Sequence, residues 1–312
     1  MMTLAEQSRT EPAAQPAGSF SGEAFSYEEA FSRHQGLLTR EEQDKLRNSR
    51  VAIIGMGGVG GVHLITLARL GIGKFTIADP DVYELANFNR QYGANMRTLG
   101  RPKVDVMAEE ALAINPELDI RKINAPISDE NVDEFLDGAD ILVDGVDFFA
   151  IDARRLVFRE ARHRGLWAVT AGPHAFGTAW LVFDPQGMSF DDYFDMHDGM
   201  TAQEQVLAFA VGCCPSPIHL AYLDLSKYFR PGKRAGASLA LACQLSSGIV
   251  GAEVVRIVTN RPGVRPAPCY AQFDAYRQKL ARGRLWRGNR HPLQRAKRWW
   301  LSRQFVKAQK QA

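Results

Sequence analysis

Val51-Ala52-Ile53-Ile54-Gly55-Met56-Gly57-Gly58-Val59-Gly60 is the stretch that decides the fold of this chain of 312 residues. Its four leading residues form a continuous apolar run, which is typical of a strand buried on both faces of a parallel sheet. The glycines that follow predict a tight turn into a helix, where backbone amides can approach a phosphate group. We therefore predict nucleotide binding at Gly55, Gly57, Gly58 and Gly60, with a purely structural glycine turn as the alternative.

Further strand and helix patterns alternate on the carboxyl side of this stretch. Apolar strand patterns occur at 74–78, 141–143 and 167–170, with helical patterns between them. Alternation of this kind predicts an α/β fold with a Rossmann-like, mostly parallel sheet flanked by helices. After Gly172 the pattern changes, and strands at 178–183 and 270–273 predict an antiparallel extension.

Composition divides the chain into three parts. Residues 1–24 are rich in Ala, Pro, Gln, Ser and Gly and are expected to be a disordered leader. Residues 25–276 form the predicted domain, with an insertion at about 186–236. Residues 277–312 hold twelve of the 38 basic residues and none of the 35 acidic ones, so the rest of the chain is acidic. This basic tail, with Trp286, Trp299 and Trp300, predicts contact with RNA or an anionic membrane; a disordered solubilising tail is the alternative.

The sequence is that expected of a soluble cytoplasmic protein. We find no uninterrupted apolar run of the roughly 18–20 residues that span a bilayer, and no secretory signal pattern. The four cysteines, Cys213, Cys214, Cys243 and Cys269, form no C-x-x-C pair. We therefore expect no structural zinc, and we expect these thiols to be buried and inert.

Charged residues follow several predicted strands. Asp79 ends the second strand, 24 residues after Gly55, where it could accept hydrogen bonds from a ribose. Arg90, Lys103 and Asp147 should meet at the same edge, because the carboxyl ends of parallel strands gather there. Two cations suit phosphate oxygens and a carboxylate suits Mg²⁺, so this set indicates ATP with magnesium. A dehydrogenase would share the glycine turn and Asp79 but would not need Arg90, Lys103 or Asp147.

The segment from about Phe31 to Thr170 resembles the ThiF/MoeB/HesA family, which is related to ubiquitin-activating enzymes. The resemblance rests on the glycine turn, Asp79-x-Asp81, Glu84-Leu85-Ala86-Asn87-Phe88-Asn89-Arg90-Gln91, Gly100-Arg101-Pro102-Lys103-Val104, Asn115-Pro116 and Asp144-x-x-Asp147.

The resemblance implies an ATP- and Mg²⁺-dependent adenylyltransferase that activates a carboxylate, commonly the C-terminus of a ubiquitin-like sulfur-carrier protein. It assigns Asp79 to the ribose, Asn87, Arg90 and Lys103 to the phosphates, and Asp147 to magnesium. Ser32-Arg33-His34-Gln35 resembles the family's arginine motif, in which Arg33 would act in the partner subunit's site. Arg33, Arg90 and Lys103 are therefore the candidate catalytic residues, and a homodimer is expected.

Three departures from the family pattern leave alternatives open. Phe148 replaces the usual Asn after the magnesium aspartate, and the expected nearby arginine is displaced to Arg154 or Arg155. No cysteine aligns with the family's sulfur-transfer cysteine, so a thioester or persulfide on Cys213, Cys214 or Cys243 stays undecided. The alternatives are adenylation like that of tRNA threonylcarbamoyladenosine dehydratases, an NAD(P)-dependent oxidoreductase, and a non-catalytic binding pseudoenzyme. The sequence does not name the carboxylate.

Overall fold

The fold is built on one eight-stranded mixed sheet. The computed structural model describes residues 24–223 and 237–310, with only the backbone of 305–310; the predicted leader therefore lies almost entirely outside the described residues. The strands stand in the order β3-β2-β1-β4-β5-β6-β7-β8. Their bounds are Arg50–Ile54 (β1), Lys74–Ala78 (β2), Asp119–Ile123 (β3), Ile141–Asp144 (β4), Trp167–His174 (β5), Gly177–Phe183 (β6), Cys269–Asp274 (β7) and Lys279–Arg284 (β8).

Strands β1 to β5 are parallel, and β6, β7 and β8 follow β5 as antiparallel neighbours. The predicted fold class is thus confirmed, including the antiparallel extension. The sheet order reverses between β1 and β4, the place where open α/β sheets bind ligands beyond their carboxyl ends. That place is occupied by the glycine turn.

Helices cover both faces of the sheet. Their bounds are Tyr27–Ala30 (α1), Arg40–Asn48 (α2), Gly60–Arg69 (α3), Lys103–Leu112 (α4), Val132–Leu136 (α5), Ile151–His163 (α6), Phe190–Phe194 (α7), Ala202–Cys213 (α8), Ala240–Val258 (α9) and Pro292–Lys310 (α10). One core lies between the sheet and α3, α4 and α9, and a second between the sheet and α5 to α8. Strands β1, β2, β4 and β5 are therefore covered on both faces, which explains their apolar runs, whereas the edge strand β3 is mostly exposed.

Helix α9 is a long apolar helix of the core. With 19 residues it is long and apolar enough, by length and composition, to cross a bilayer. Its contacts are nevertheless those of a core helix, because it packs against α3, β5 and β6. Its Ser247 hydroxyl donates to the Val62 carbonyl of α3 (3.0 Å), and a Cβ on Gly251 would lie 3.0 Å from Leu70. Small residues thus let α9 and α3 approach closely.

The chain after residue 276, where we placed the end of the domain, continues the same fold. Strand β8 pairs with β7, and α10 packs against α8. Buried Asn289 donates to the carbonyls of Phe194 (2.9 Å) and Ala208 (2.7 Å), and Gln294 donates to that of Val211 (3.0 Å). The basic segment is therefore attached to the insertion at 186–236, of which residues 224–236 lie outside the described chain.

Candidate active site

The glycine turn is held by close contacts between backbone segments. Gly55 has φ +86°, a conformation that L side chains rarely adopt. A Cβ on Gly55 would overlap the Gly145 carbonyl, and a Cβ on Gly60 would overlap the Gly55 carbonyl. Gly55 and Gly60 are therefore required by the protein's own packing at the ends of β1 and β4.

Gly57 and Gly58 stand apart from those two glycines. Both are partly exposed. A Cβ on Gly57 would meet only the Gln91 side-chain nitrogen, at 3.8 Å, and a Cβ on Gly58 would lie 3.2 Å from the Cys243 sulfur. Protein contacts thus do not require a glycine at 57, which leaves room for a ligand there, whereas a side chain at 58 would press against Cys243. Helix α3 begins here without a side-chain cap, so its first amides can receive an anion.

Asp79 lies beneath the turn at the end of β2. One oxygen accepts from the Met56 amide (2.7 Å) and the other from the Asp81 amide (2.8 Å). The carboxylate is 6% exposed, and burial raises its pKa against the opposing effect of Lys103. Each oxygen keeps a second lone pair, so the group can hold the turn and also accept from a ribose hydroxyl.

Lys103 begins α4 and reaches the same place. Its Nζ lies 2.8 Å from an oxygen of Asp81 and 3.9 Å from an oxygen of Asp79. The lysine side chain is 6% exposed whereas that of Asp81 is 66% exposed. The structure thus brings Lys103 and Asp79 together, and Asp81 is the exposed partner of the ammonium.

The segment around Arg90 covers the other side of the turn. Asn87 accepts from the Glu84 amide through its side-chain oxygen (2.9 Å), so this predicted phosphate ligand also shapes its own loop. Arg90 donates to the carbonyl of Ala86 (2.9 Å), and its Cγ would lie 3.5 Å from a Cβ on Gly58. Arg90 is therefore adjacent to the turn.

Gln91 is a residue that we did not assign from the sequence. It is 7% exposed, its side-chain oxygen has no hydrogen-bond partner among the described residues, and its side-chain nitrogen faces Gly57. A buried polar atom without a partner is uncommon and calls for an explanation. Its position in the same motif as Asn87 and Arg90 was the available signal.

Asp147 lies on the loop after β4, two residues beyond Gly145. The side chain is exposed, and one oxygen accepts from the Phe149 amide (2.9 Å). Among residues 24–223 and 237–310, no three His, Cys, Asp or Glu side chains form a group that could hold a metal. Mg²⁺ commonly binds through one or two carboxylates with phosphate oxygens and waters, so a single aspartate beside a phosphate site fits this ion.

Arg154 and Arg155 serve the structure of the Asp147 loop and the insertion. Arg154 donates through Nε to buried Asp144 (2.8 Å) and through Nη2 to the Val146 carbonyl (2.6 Å). Arg155 makes a two-pronged contact with Asp191 (2.9 and 2.8 Å). Both arginines are thus held by acidic side chains of their own chain, and the Nη1 atom of Arg154 is buried without a hydrogen-bond partner among the described residues.

Arg33 lies at the opposite edge of the sheet. It is exposed within a 3-10 helix at Ser32–His34, next to α1. Tyr27 of α1 donates to the Gly71 carbonyl at the far end of α3 (2.5 Å). A helix of ten residues such as α3 is about 15 Å long, so its two ends are well separated. The structure does not bring Arg33 to the glycine turn of its own chain.

The cysteines near the site are shielded thiols. Cys213, Cys214 and Cys243 are buried, and burial raises the pKa of each. Cys243 alone touches the turn, through Gly58. A thiol with a raised pKa is a poor nucleophile near neutral pH, so these residues do not present an activated sulfur.

Comparison with known proteins identifies the family of this chain. The model of the ThiF family matches residues 31–295. A tRNA threonylcarbamoyladenosine dehydratase of Bacillus subtilis is 37% identical over 118 residues, covering 38% of this chain and 46% of the relative. The probable adenylyltransferase/sulfurtransferase MoeZ of Mycobacterium tuberculosis is 28% identical over 252 residues, covering 80% of this chain and 57% of the relative. The chain thus spans about half the length of these curated relatives.

Solved structures share the fold at low identity. PaaA superposes with a TM-score of 0.64 at 19% identity, covering 87% of both chains. E. coli MccB with ATP superposes with a TM-score of 0.58 at 21% identity, covering 82% of this chain and 71% of MccB. Since the family model spans most of the sequence and includes the glycine turn, Asp79, Lys103 and Asp147, the chain belongs to the ThiF family.

Proposed function

We propose that this protein is an ATP-dependent adenylyltransferase that converts a carboxylate into an acyl-adenylate. The observation that carries the proposal is a glycine turn that is open at Gly57, with Asp79 hydrogen-bonded to the turn and Lys103 beside Asp79. Members of its family are named adenylyltransferases, among them the relative MoeZ.

Each residue has a distinct part in the proposed reaction. Asp79 accepts from the ribose hydroxyls, and the first amides of α3 donate to phosphate oxygens. Lys103 exchanges its ion pair with Asp81 for one with a phosphate oxygen. Arg90 neutralises the other phosphate oxygens, and Asn87 binds them. Asp147 would hold Mg²⁺, which would supply positive charge during attack on the α-phosphate. Catalysis is then positioning and charge neutralisation, and no general base is needed.

The proposed acceptor is the C-terminal carboxylate of a small protein or peptide. Relatives named for sulfur-carrier or ubiquitin-like activation, including a SAMP-activating enzyme E1 of Haloferax volcanii, support this class. A carboxylate on a modified tRNA is the second candidate. It is supported by the Bacillus subtilis relative, whose sequence identity to this chain, 37%, is higher than the 28% of MoeZ. The shielded thiols argue against a thioester step on this chain.

Pyrophosphate exchange tests the proposal. The protein, ATP, Mg²⁺ and a candidate acceptor should catalyse incorporation of labelled pyrophosphate into ATP, and Asp147→Ala should abolish it. Calorimetry with ATP and with NAD separates the competing functions. Tight NAD binding without ATP binding would identify an oxidoreductase, and ATP binding without exchange, for every acceptor class, would identify a binding pseudoenzyme.

Arg33 is proposed to act across a homodimer in the cytoplasm. It lies at the wrong edge for its own site, so only a second chain could bring it to ATP. Mixing Arg33→Ala and Asp147→Ala chains should restore activity at one site of each mixed dimer. If heterodimers form and stay as inactive as their parents, Arg33 has no role in the partner's site.

A further inference from the structure

Three of the protein's five tryptophans are exposed near its C-terminus. Trp286 is 63% exposed, Trp299 58% and Trp300 42%. Scattered exposed apolar residues are normal, but three tryptophans within one segment are a costly concentration of apolar surface. Exposed tryptophans that are close in sequence therefore call for a partner.

The charges that accompany these tryptophans are all basic. No Asp or Glu occurs from Arg277 to the end of the chain. The Arg303 guanidinium lies 4.1 Å from the centre of the Trp299 ring, and that of Arg287 lies 5.3 Å from the centre of the Trp286 ring. Arg295, Trp299 and Arg303 recur every four residues and so line one side of α10. We name the set Trp286, Arg287, Arg295, Trp299, Trp300 and Arg303 the tryptophan–arginine surface.

The other side of α10 is fixed to the domain. Gln294 donates to the Val211 carbonyl (3.0 Å) and Lys297 to the Pro215 carbonyl (2.6 Å) of the α8 region. Arg298 pairs with Asp195 (2.7 Å) and Arg290 with Asp192 (2.7 Å), so the nearest acidic groups are neutralised on the attached side. The free side thus presents aromatic rings and basic side chains that form no ion pair with the described part of the chain.

We propose that the tryptophan–arginine surface binds unpaired RNA. Bases stack on exposed aromatic rings whatever their identity, and interleaved arginines neutralise the phosphates between them. A membrane surface fits less well, because membrane-bound helices insert a continuous apolar face and keep their basic residues on the opposite one. Here tryptophan and arginine share the free side, and α8 occupies the other. This proposal does not depend on the adenylation reaction.

RNA binding by the full chain is the test. A fluorescently labelled RNA of about 15 nucleotides without secondary structure should bind with an affinity that falls as salt rises from about 50 to 200 mM. Trp299→Ala with Trp300→Ala should weaken binding about tenfold or more. Arg303→Ala should lower the slope of log K against log salt by about 0.7. The control is Tyr276→Ala, which removes a ring that is 69% exposed but lies outside this surface, and it should bind RNA like the unmodified protein.

Several outcomes would overturn the proposal. The first is that the unmodified protein does not bind RNA. The second is that the double variant binds RNA as tightly as the unmodified protein, and the third is that Tyr276→Ala loses as much affinity as the double variant. Vesicles of phosphatidylcholine and phosphatidylserine form a parallel assay. If the double variant loses vesicle binding and keeps RNA binding, the surface belongs to a membrane. Should the double variant unfold, Arg295→Gln with Arg303→Gln replaces it, since both side chains lie on the free side.

Discussion

Gly57→Ala separates a ligand-binding glycine from a structural one. The added methyl would meet only the Gln91 nitrogen, at 3.8 Å, which is an ordinary contact distance. Gly57 does not have the positive φ of Gly55, so the alanine is not strained. We therefore expect the free energy of unfolding to stay within about 1 kcal/mol, with a small gain possible because alanine restricts the unfolded chain.

In the proposed ATP complex, the same methyl would stand where a phosphate oxygen approaches the backbone. Displacing that oxygen removes a hydrogen bond to a charged group, worth about 1.5–3 kcal/mol. ATP affinity should therefore fall about 10- to 150-fold. Isothermal titration calorimetry measures this loss, and thermal unfolding without nucleotide measures the stability.

Two further glycines give the controls. Gly248 of α9 has nothing within 4 Å of an added Cβ, so Gly248→Ala should keep ATP affinity and gain up to about 1 kcal/mol of stability. Gly60→Ala should fail to fold stably, because its Cβ would overlap the Gly55 carbonyl. The reasoning is refuted if folded Gly57→Ala binds ATP within about twofold of the unmodified protein, since a tenfold loss is the smallest expected.

Substitutions at three other positions test separate features. Lys103→Met should weaken ATP binding and lower the free energy of unfolding by about 1–3 kcal/mol, because buried Asp79 loses its nearest cation. Urea unfolding should show a smaller loss of stability for Lys103→Arg, which keeps the positive charge. Asp147→Ala should abolish pyrophosphate exchange while stability changes by less than about 0.5 kcal/mol, because the side chain is exposed. Burial lowers the pKa of His63 in the folded protein to about 3 from its usual 6.5. The unfolded chain therefore binds the proton more tightly than the folded protein does, and the free energy of unfolding falls as the pH drops below 6.5. At pH 5 this amounts to about 2 kcal/mol, and His63→Leu should flatten the decline of melting temperature with pH.

The sequence predicted the parallel part of the fold because its physical cause is local. The run at 74–78 became β2 with the same bounds, and 141–143 became β4 with one added residue. The approach of Lys103 to Asp79 also followed from topology, because parallel strands bring their carboxyl ends to one edge. By contrast, β8 reads Lys-Leu-Ala-Arg-Gly-Arg and is mostly exposed, so an edge strand left no apolar signature.

Polar anchors explain the other omissions. Asn289 and Gln294 attach the C-terminal segment through buried hydrogen bonds, and amide side chains in a basic stretch look like surface residues. The unpartnered oxygen of Gln91 becomes visible only when its burial is known. Residue type alone does not distinguish a buried polar group with partners from a solvated one.

Arg154 is a buried charge that holds the Asp147 loop, and it gives a last prediction. Its ion pair with Asp144 lies in the core, with the two side chains 3% and 1% exposed, and Thr170 donates to the same carboxylate oxygen (2.8 Å). Arg154→Met would leave Asp144 charged, buried and without its cation, which costs about 3–5 kcal/mol. Adding Asp144→Asn should recover part of that loss, because no isolated charge then remains. Both variants lose the bond to the Val146 carbonyl that holds the Asp147 loop, so pyrophosphate exchange should stay impaired in the double variant even where stability returns. Urea unfolding and pyrophosphate exchange should be measured on the same preparations of both variants. If activity returns together with stability in the double variant, Arg154 supports the core alone and does not position the Asp147 loop.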